Sequence, residues 1–431
     1  MMSARRISRV LAATLAVLPS AVLAQSEERF GTDISATAGY SNNPFAYGDG
    51  DSGTGVIGLD ILPSYQILTA RSTATISGAI NLQQYLRRYG RNDSYSGAVD
   101  YVLRPSERVT AHGRIDLSSA VIGFFNNSLP IFAGPGLVGT PTGVPGIVPI
   151  TPGITPVIPT VGIGTVPLSD IGLFGFRNRR KLARASGDVS TGLSARDSLT
   201  VSGYAEAARY RGLQRFGDYE AYSGSLGYSR QVSERFNVGV RGSASFFNYR
   251  QANSDTRAYP VEATVSGRLS ALWSINGALG VTFVDSDAIG STRKTSLSGS
   301  VNLCRRGELS TMCFQAARSV SPTGLVGTQY VTSAGLNWSK QLSERENLSL
   351  GLSYSKIGGD EIRLIQNGVQ MGGLPLQNEF AQGTVGYDRQ ISQRLRFIAS
   401  ANYSKLLGGN AGRPDNYGGQ IGLSYHLGDV R

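Results

Sequence analysis

The sequence predicts an all-β chain: a transmembrane up-and-down antiparallel β-barrel of about eighteen strands behind a cleaved signal peptide. Three observations carry this prediction. Apolar and polar side chains alternate with a period of two, one polar turn recurs between alternating runs, and the composition suits neither a soluble core nor membrane helices.

The alternation is clearest from Phe236. One parity carries Phe236, Val238, Val240, Gly242, Ala244 and Phe246, and the other Asn237, Gly239, Arg241, Ser243 and Ser245. Such a run is a strand with one apolar and one wet face, long enough to cross a bilayer at a tilt. An arginine facing lipid at mid-membrane costs roughly 2–4 kcal/mol, so the Arg241 parity is assigned to water.

The turn recurs as Val232-Ser-Glu-Arg235, Leu342-Ser-Glu-Arg345 and Ile391-Ser-Gln-Arg394, with looser copies at Arg104–Arg108 and Leu193–Asp197. Short polar turns that alternate with longer loops give the rhythm of a membrane barrel. A soluble propeller would group its strands in fours without that alternation of links.

Charged residues make up 16% of the 431-residue chain and hydrophobic residues 40%, with 55 Gly and 20 Tyr. After the leader no apolar run reaches the length of a membrane helix.

Residues 1–24 read as a secretory signal. Arg5, Arg6 and Arg9 precede the apolar run Val10–Leu18, and Ala-Val-Leu-Ala ends at a small-residue cleavage site. The residues after the twin arginines fit a Tat leader poorly, so export by the general secretory route is expected. The barrel is then assigned to 25–431, in a bacterial outer membrane. Loss of those arginines takes the formal charge from +11 to +8. No basic run interleaved with aromatics points to nucleic acid. A cationic lumen, or loops against anionic lipopolysaccharide, is the expected use of the charge.

In chain order, strands are predicted over Phe30–Gly39, Val56–Gln66, Thr73–Leu86, Tyr95–Leu103 and Val109–Val121. Residues 123–176 then break the rhythm as a Pro/Gly-rich loop, with no charge between Asp116 and Asp170. Proline at this density cannot join a ladder. A constriction folded into the lumen and an apolar surface flap are both open readings of this loop. Further strands are predicted to start near Lys181, Leu199, Tyr219, Phe236, Tyr259, Trp273, Thr295, Thr311, Tyr330, Asn347, Glu379, Leu395 and Tyr417. Side chains cannot fill a barrel of this size, so a water-filled channel is expected. Tyr228, Trp338, Tyr354, Tyr387, Tyr403 and Tyr425 fall near strand ends, where interfacial aromatics sit. Pairing about Glu308–Leu309 sets Cys304 opposite Cys313, and an oxidising compartment then predicts a cross-strand disulfide.

Chemistry finds little support. The chain has two histidines, His112 and His426, no Gly-x-Ser-x-Gly or His-Glu-x-x-His motif, and no ligand cluster for a metal or cofactor. The wet parity is more informative. It holds His112, Arg114 and Asp116 on the fifth strand, Tyr204 and Glu206 on the seventh, Arg241 and Phe247 on the ninth, and Glu262 and Arg268 on the tenth. Charges of both signs across a lumen select ions or sugars, and Tyr204 and Phe247 are candidates to stack on sugar rings.

Three features together resemble the outer-membrane barrels encoded with exopolysaccharide synthesis and export systems. They are the turns at 228–235, 338–345 and 387–394, the early first strand, and the closing Gly422-Leu-Ser-Tyr-His-Leu427. The resemblance implies a passive conduit for a secreted polysaccharide, working with a periplasmic polysaccharide-export protein, and no catalytic residue. The continuation Gly428-Asp-Val-Arg431 departs from the common ending on a terminal phenylalanine. A diffusion porin and a structural or adhesive barrel are the alternatives.

Overall fold

The computed structural model describes residues 26–45, 53–121, 178–211, 217–249, 254–286, 292–322, 328–358, 364–366, 369–371, 379–407 and 415–429. The expected signal peptide at 1–24 and the whole of loop 123–176 lie outside these residues.

Eighteen strands form one antiparallel sheet closed on itself. They are β1 (Glu27–Ser41), β2 (Thr54–Leu68), β3 (Ser72–Tyr85), β4 (Arg91–Ser106), β5 (Val109–Val121), β6 (Arg179–Gly192), β7 (Asp197–Arg211), β8 (Tyr219–Gln231), β9 (Phe236–Tyr249), β10 (Ser254–Arg268), β11 (Trp273–Ser286), β12 (Thr292–Arg306), β13 (Ser310–Pro322), β14 (Thr328–Ser343), β15 (Glu346–Gly358), β18 (Glu379–Gln390), β19 (Leu395–Leu407) and β20 (Asn416–Gly428). Between β15 and β18 the chain adds a separate small hairpin, β16 (Leu364–Gln366) with β17 (Val369–Met371). Closure is made by β1, which pairs with β2 on one side and with β20 on the other, from Gly31↔Gly428 to Ser41↔Gly418.

Several predicted strand starts are met at the residue, among them Tyr219, Phe236, Trp273, Glu379 and Leu395. Others begin earlier than the alternation shows, β10 at Ser254 rather than near Tyr259. Residues 254–257 of that extension are polar, because tilted strands project beyond the apolar band into water, where no face needs to be greasy.

The recurring turn has a physical cause. Ser233 Oγ accepts the backbone N–H of Arg235 (3.3 Å) and of Phe236 (3.1 Å). Ser194, Ser270 and Ser392 repeat the arrangement with the residues two and three positions on. A serine hydroxyl thus closes each reversal in about the space of one peptide, which fixes Ser at that position.

Side-chain parity follows the sequence. Val240, Leu279 and Ile421 stand outward, 59%, 64% and 60% exposed, as large apolar side chains do only when lipid covers them. Tyr228, Trp338, Tyr354, Tyr387, Tyr403 and Tyr425 share that outward parity, while Arg241 and the serines between face the lumen. A closed barrel that is apolar outside and polar inside belongs to a bacterial outer membrane, with its short turns in the periplasm.

The predicted disulfide is formed. Cys304 and Cys313 are register partners on β12 and β13, with Cα atoms 4.1 Å apart. Among the described residues, the β12–β13 ladder runs only from Gly299↔Arg318 to Arg306↔Thr311. The β13–β14 ladder continues to Pro322↔Thr328. The last four residues of β13, 319–322, therefore leave β12 and stay with β14.

The two faces are open to a direct test. Val240→Arg is expected to cost about 2–4 kcal/mol, whereas Ser243→Arg, on the lumen parity of the same strand, leaves stability within about 1 kcal/mol. Urea unfolding in lipid vesicles, followed by the folded–unfolded shift in gel mobility, reads both.

Candidate functional site: the lumen wall

Strand register builds the charged part of the wall from residues far apart in sequence. Asp116 on β5 is the partner of Arg184 on β6, which is in turn the partner of Glu206 on β7. Arg184 donates to Glu206 Oε2 from Nε (3.0 Å) and Nη2 (2.8 Å), and Tyr219 donates to Oε1 at 2.6 Å. Tyr204 also donates to Glu206, and its ring lies 5.7 Å beneath the Arg184 guanidinium. Glu206 is buried by these partners, 7% exposed. A buried carboxylate holds its charge only when so surrounded.

One row toward the periplasm, Arg114 grips Asp116 with Nε and Nη2 at 2.8–3.0 Å and lies 3.9 Å from Asp100. His112 bridges two acids, Nε2 to Asp100 at 2.9 Å and Nδ1 to Asp188 at 3.2 Å. Both ring nitrogens are engaged by carboxylates, which makes the ring a strut between strands. A second group lies on β9–β12. There Arg241 Nη2 donates to Glu262, and Ser298 adds a bond to the same carboxylate at 3.2 Å.

The predicted lumen residues meet different outcomes. His112, Arg114 and Asp116 form one group and Tyr204 and Glu206 another, set side by side by the Asp116–Arg184 register, and Arg241 and Glu262 form a separate pair. Arg268 stands apart, exposed at the last residue of β10, beside the periplasmic turn. The sugar-stacking role expected of two rings is not supported. Arg184 occupies a face of Tyr204, and Phe247 is packed away at 8% exposure. Phe247 belongs instead to an apolar cluster at the extracellular mouth with Tyr219, Tyr249, Ala258 and Val284. Val320 of β13 and Tyr330 of β14 pack against that cluster. These are the strand ends that have parted from β12, so the end of the hairpin leans onto the mouth. Nothing in the local sequence pattern marks this feature, because both residues sit on the outward parity.

The balance of charge also differs from expectation. On β4–β10 the middle of the wall carries Asp100, Asp116, Asp188, Glu206 and Glu262 against Arg114, Arg184 and Arg241, and Asp60 on β2 adds to the excess of acid. In that middle band acids outnumber arginines, with His112 held between two of the acids, while nearer the strand ends Arg180 and Arg268 share the inward parity. Further arginines stand at the periplasmic turns, at Arg71, Arg108, Arg196, Arg235, Arg345 and Arg394, three of them beside Glu107, Glu234 and Glu344. Across the lumen, the inward positions of β11–β15 are Ser, Thr, Asn, Gln and small residues, with the disulfide, with Val284, Val331 and Ile357 at the extracellular end, and with charge only at Lys294 and Arg306 near the strand ends. Hydroxyl pairs tie neighbouring strands on the inner face, as in Ser202–Ser225 (2.6 Å), Ser198–Ser229 (2.7 Å) and Ser35–Ser424 (2.9 Å). Among the described residues no cluster of His, Cys, Asp and Glu is arranged to hold a metal ion.

No family model matches the sequence, and no curated protein matches it. Solved structures do resemble the fold. Pseudomonas aeruginosa OprD is 9% identical with a TM-score of 0.40, over 93% of this chain and 96% of that one. P. aeruginosa OccK2 (OpdF) in complex with glucuronate is 9% identical with a TM-score of 0.42, over 93% and 98%. Acinetobacter baumannii OccAB3 is 10% identical with a TM-score of 0.38, over 94% and 100%. At these identities and scores, what those proteins bind says nothing about this chain.

Arg184→Met is expected to destabilise the barrel by about 3 kcal/mol, because it leaves Glu206 charged and without its ion-pair partner. Adding Glu206→Gln should restore most of that loss. Urea unfolding of the two variants beside wild type checks the coupling.

Proposed function

We propose that the chain is a passive outer-membrane channel for hydrophilic solutes, porin-like, and that it passes cations in preference to anions. One observation carries this reading: the wide lumen is walled by paired charges with an excess of carboxylate on one side and by uncharged hydroxyls and amides on the other. A barrel of eighteen strands is too wide for its side chains to close, so water fills the space between these walls. Fixed carboxylates then raise the local concentration of cations and lower that of anions. The paired arginines reduce this bias without cancelling it.

Export of a polysaccharide, with a periplasmic export protein as partner, is the second reading. The hydroxyl-and-amide wall favours it, since such a surface exchanges hydrogen bonds with sugar hydroxyls without holding any one residue tightly. The repeated turns that resemble the exopolysaccharide-associated barrels point the same way. The wall chemistry suits a neutral glycan better than an acidic one.

Planar-bilayer recording separates the readings. Under a salt gradient, the reversal potential is expected to show cation preference, and Asp100→Asn with Asp188→Asn should move the permeability ratio toward one. The bias should also shrink between 0.1 M and 1 M salt, as the Debye length falls from about 10 to about 3 Å. Anion preference in wild type would overturn the selectivity. Block of the current by a neutral polysaccharide at concentrations that leave small-sugar flux unchanged would favour the export reading.

A further inference from the structure

The chain contains two tryptophans. Both lie on the outward parity at the periplasmic end of their strands, in one lateral row that crosses β11 to β14. Trp273 on β11 pairs with Arg305 on β12, Arg305 with Met312 on β13, and Met312 with Trp338 on β14. Two residues nearer the periplasm on β14 stands Lys340, opposite Ser310. Arg305 and Lys340 are exposed. From strand spacing and rise, their Cα atoms are about 12 Å apart, close enough for two long side chains to converge on one small anion.

These two cations differ from their neighbours on the rim. Arg230 lies 3.8 Å from Asp197, and Arg389 lies 3.6 Å from Glu346. Arg305 and Lys340 make no ion pair or side-chain hydrogen bond with any described residue. The nearest acid in sequence, Glu308, is exposed in the β12–β13 turn. Directly above the row toward mid-membrane lies an apolar one, Ile275, Leu303, Phe314 and Leu336, again register partners across β11–β14. The patch therefore offers uncompensated positive charge at headgroup depth, two indoles that favour the interface, and a greasy track for chains. Cys304–Cys313 lies on the reverse face of the same strand pair and holds β12 and β13 in register there.

We propose that this patch is a binding site for an anionic phospholipid of the periplasmic leaflet. Arg305 and Lys340 receive the headgroup phosphate, Trp273 and Trp338 flank it, and the acyl chains lie along the row from Ile275 to Leu336. The assignment rests on the outer-membrane reading of the barrel, with its short turns in the periplasm. It does not depend on what the lumen carries.

The two tryptophans report on the site directly. The folded barrel is reconstituted in phosphatidylcholine vesicles containing, at equal mole fraction, either brominated phosphatidylglycerol or brominated phosphatidylethanolamine, and tryptophan quenching is measured. A cation near an anionic surface favours it by about fivefold, so quenching by the brominated phosphatidylglycerol is expected to exceed that by the ethanolamine lipid by about twofold. Arg305→Gln with Lys340→Gln should abolish the excess, while Arg389→Gln should keep it. Equal quenching by both lipids in wild type would overturn the proposal, as would an excess that survives the double substitution. Loss of the excess on adding inorganic phosphate would identify a site for the free anion and overturn the lipid assignment. Bilayer conductance and heat-modifiable gel mobility, recorded on the same samples, show whether the channel itself is intact.

Discussion

Every strand of this chain depends on one constraint: in hydrocarbon, a backbone N–H or C=O without a partner costs several kcal/mol. An open sheet would expose two edges of such groups, so the sheet must close. The closure falls to β1 and β20, whose residues are nearly the full chain apart. Gly428 ends that ladder at a φ of +111°, and a side chain there would run into the Phe30 carbonyl. Asp429 then donates its N–H to Phe30 O at 3.1 Å, and the Asp429 carboxylate accepts from Phe30 N at 3.3 Å. The Gly-Asp that departs from the usual barrel ending thus adds two hydrogen bonds beyond the end of the ladder that joins the last strand to the first.

Closure converts a local pattern into a global one. With no edge and no slip allowed, each strand must keep its apolar parity on the lipid side, since a shift of one residue would turn every side chain over. The faces of β9 were therefore legible from Phe236–Phe246 alone, and the disulfide from the symmetry of Cys304 and Cys313 about their turn. The serine of each short turn was legible as a repeat, and its hydrogen bonds give the repeat its cause. Parity is a property of one strand, and one strand's sequence is enough to read it.

Row partners are another matter. Glu206 meets Arg184 because β6 and β7 pair with a particular stagger, and Asp116 meets Arg184 only across a join that spans residues 122–178. Alternation says that these residues face inward; it does not say which level of the lumen each occupies. The same limit hid the acidity of the wall. Counting charges along the chain gives a basic protein, but that count mixes turn, outward and inward positions, and only the fold shows which charges share the middle of the lumen. A residue such as Arg268, one step from its turn, has the inward parity and yet lies outside the network.

The parted strands β12 and β13 follow from the same constraint seen from the other side. Their ladder holds where the strands approach the periplasm, and there the disulfide ties them as well. Toward the extracellular end β13 keeps its bonds to β14, and the hairpin end gains a different compensation, the contact of Val320 and Tyr330 with the aromatic cluster at the mouth. Apolar burial is non-directional, so it tolerates a departure from the wall that hydrogen bonding alone would not. Arg318, at the last paired position, lies 5.7 Å from the Tyr330 ring and donates to Thr332 Oγ1 at 3.3 Å, which binds β13 to β14 at the level where β12 is left behind. Part of the wall itself thus packs on the cluster at the mouth, while the disulfide ties the same strand pair nearer the periplasm.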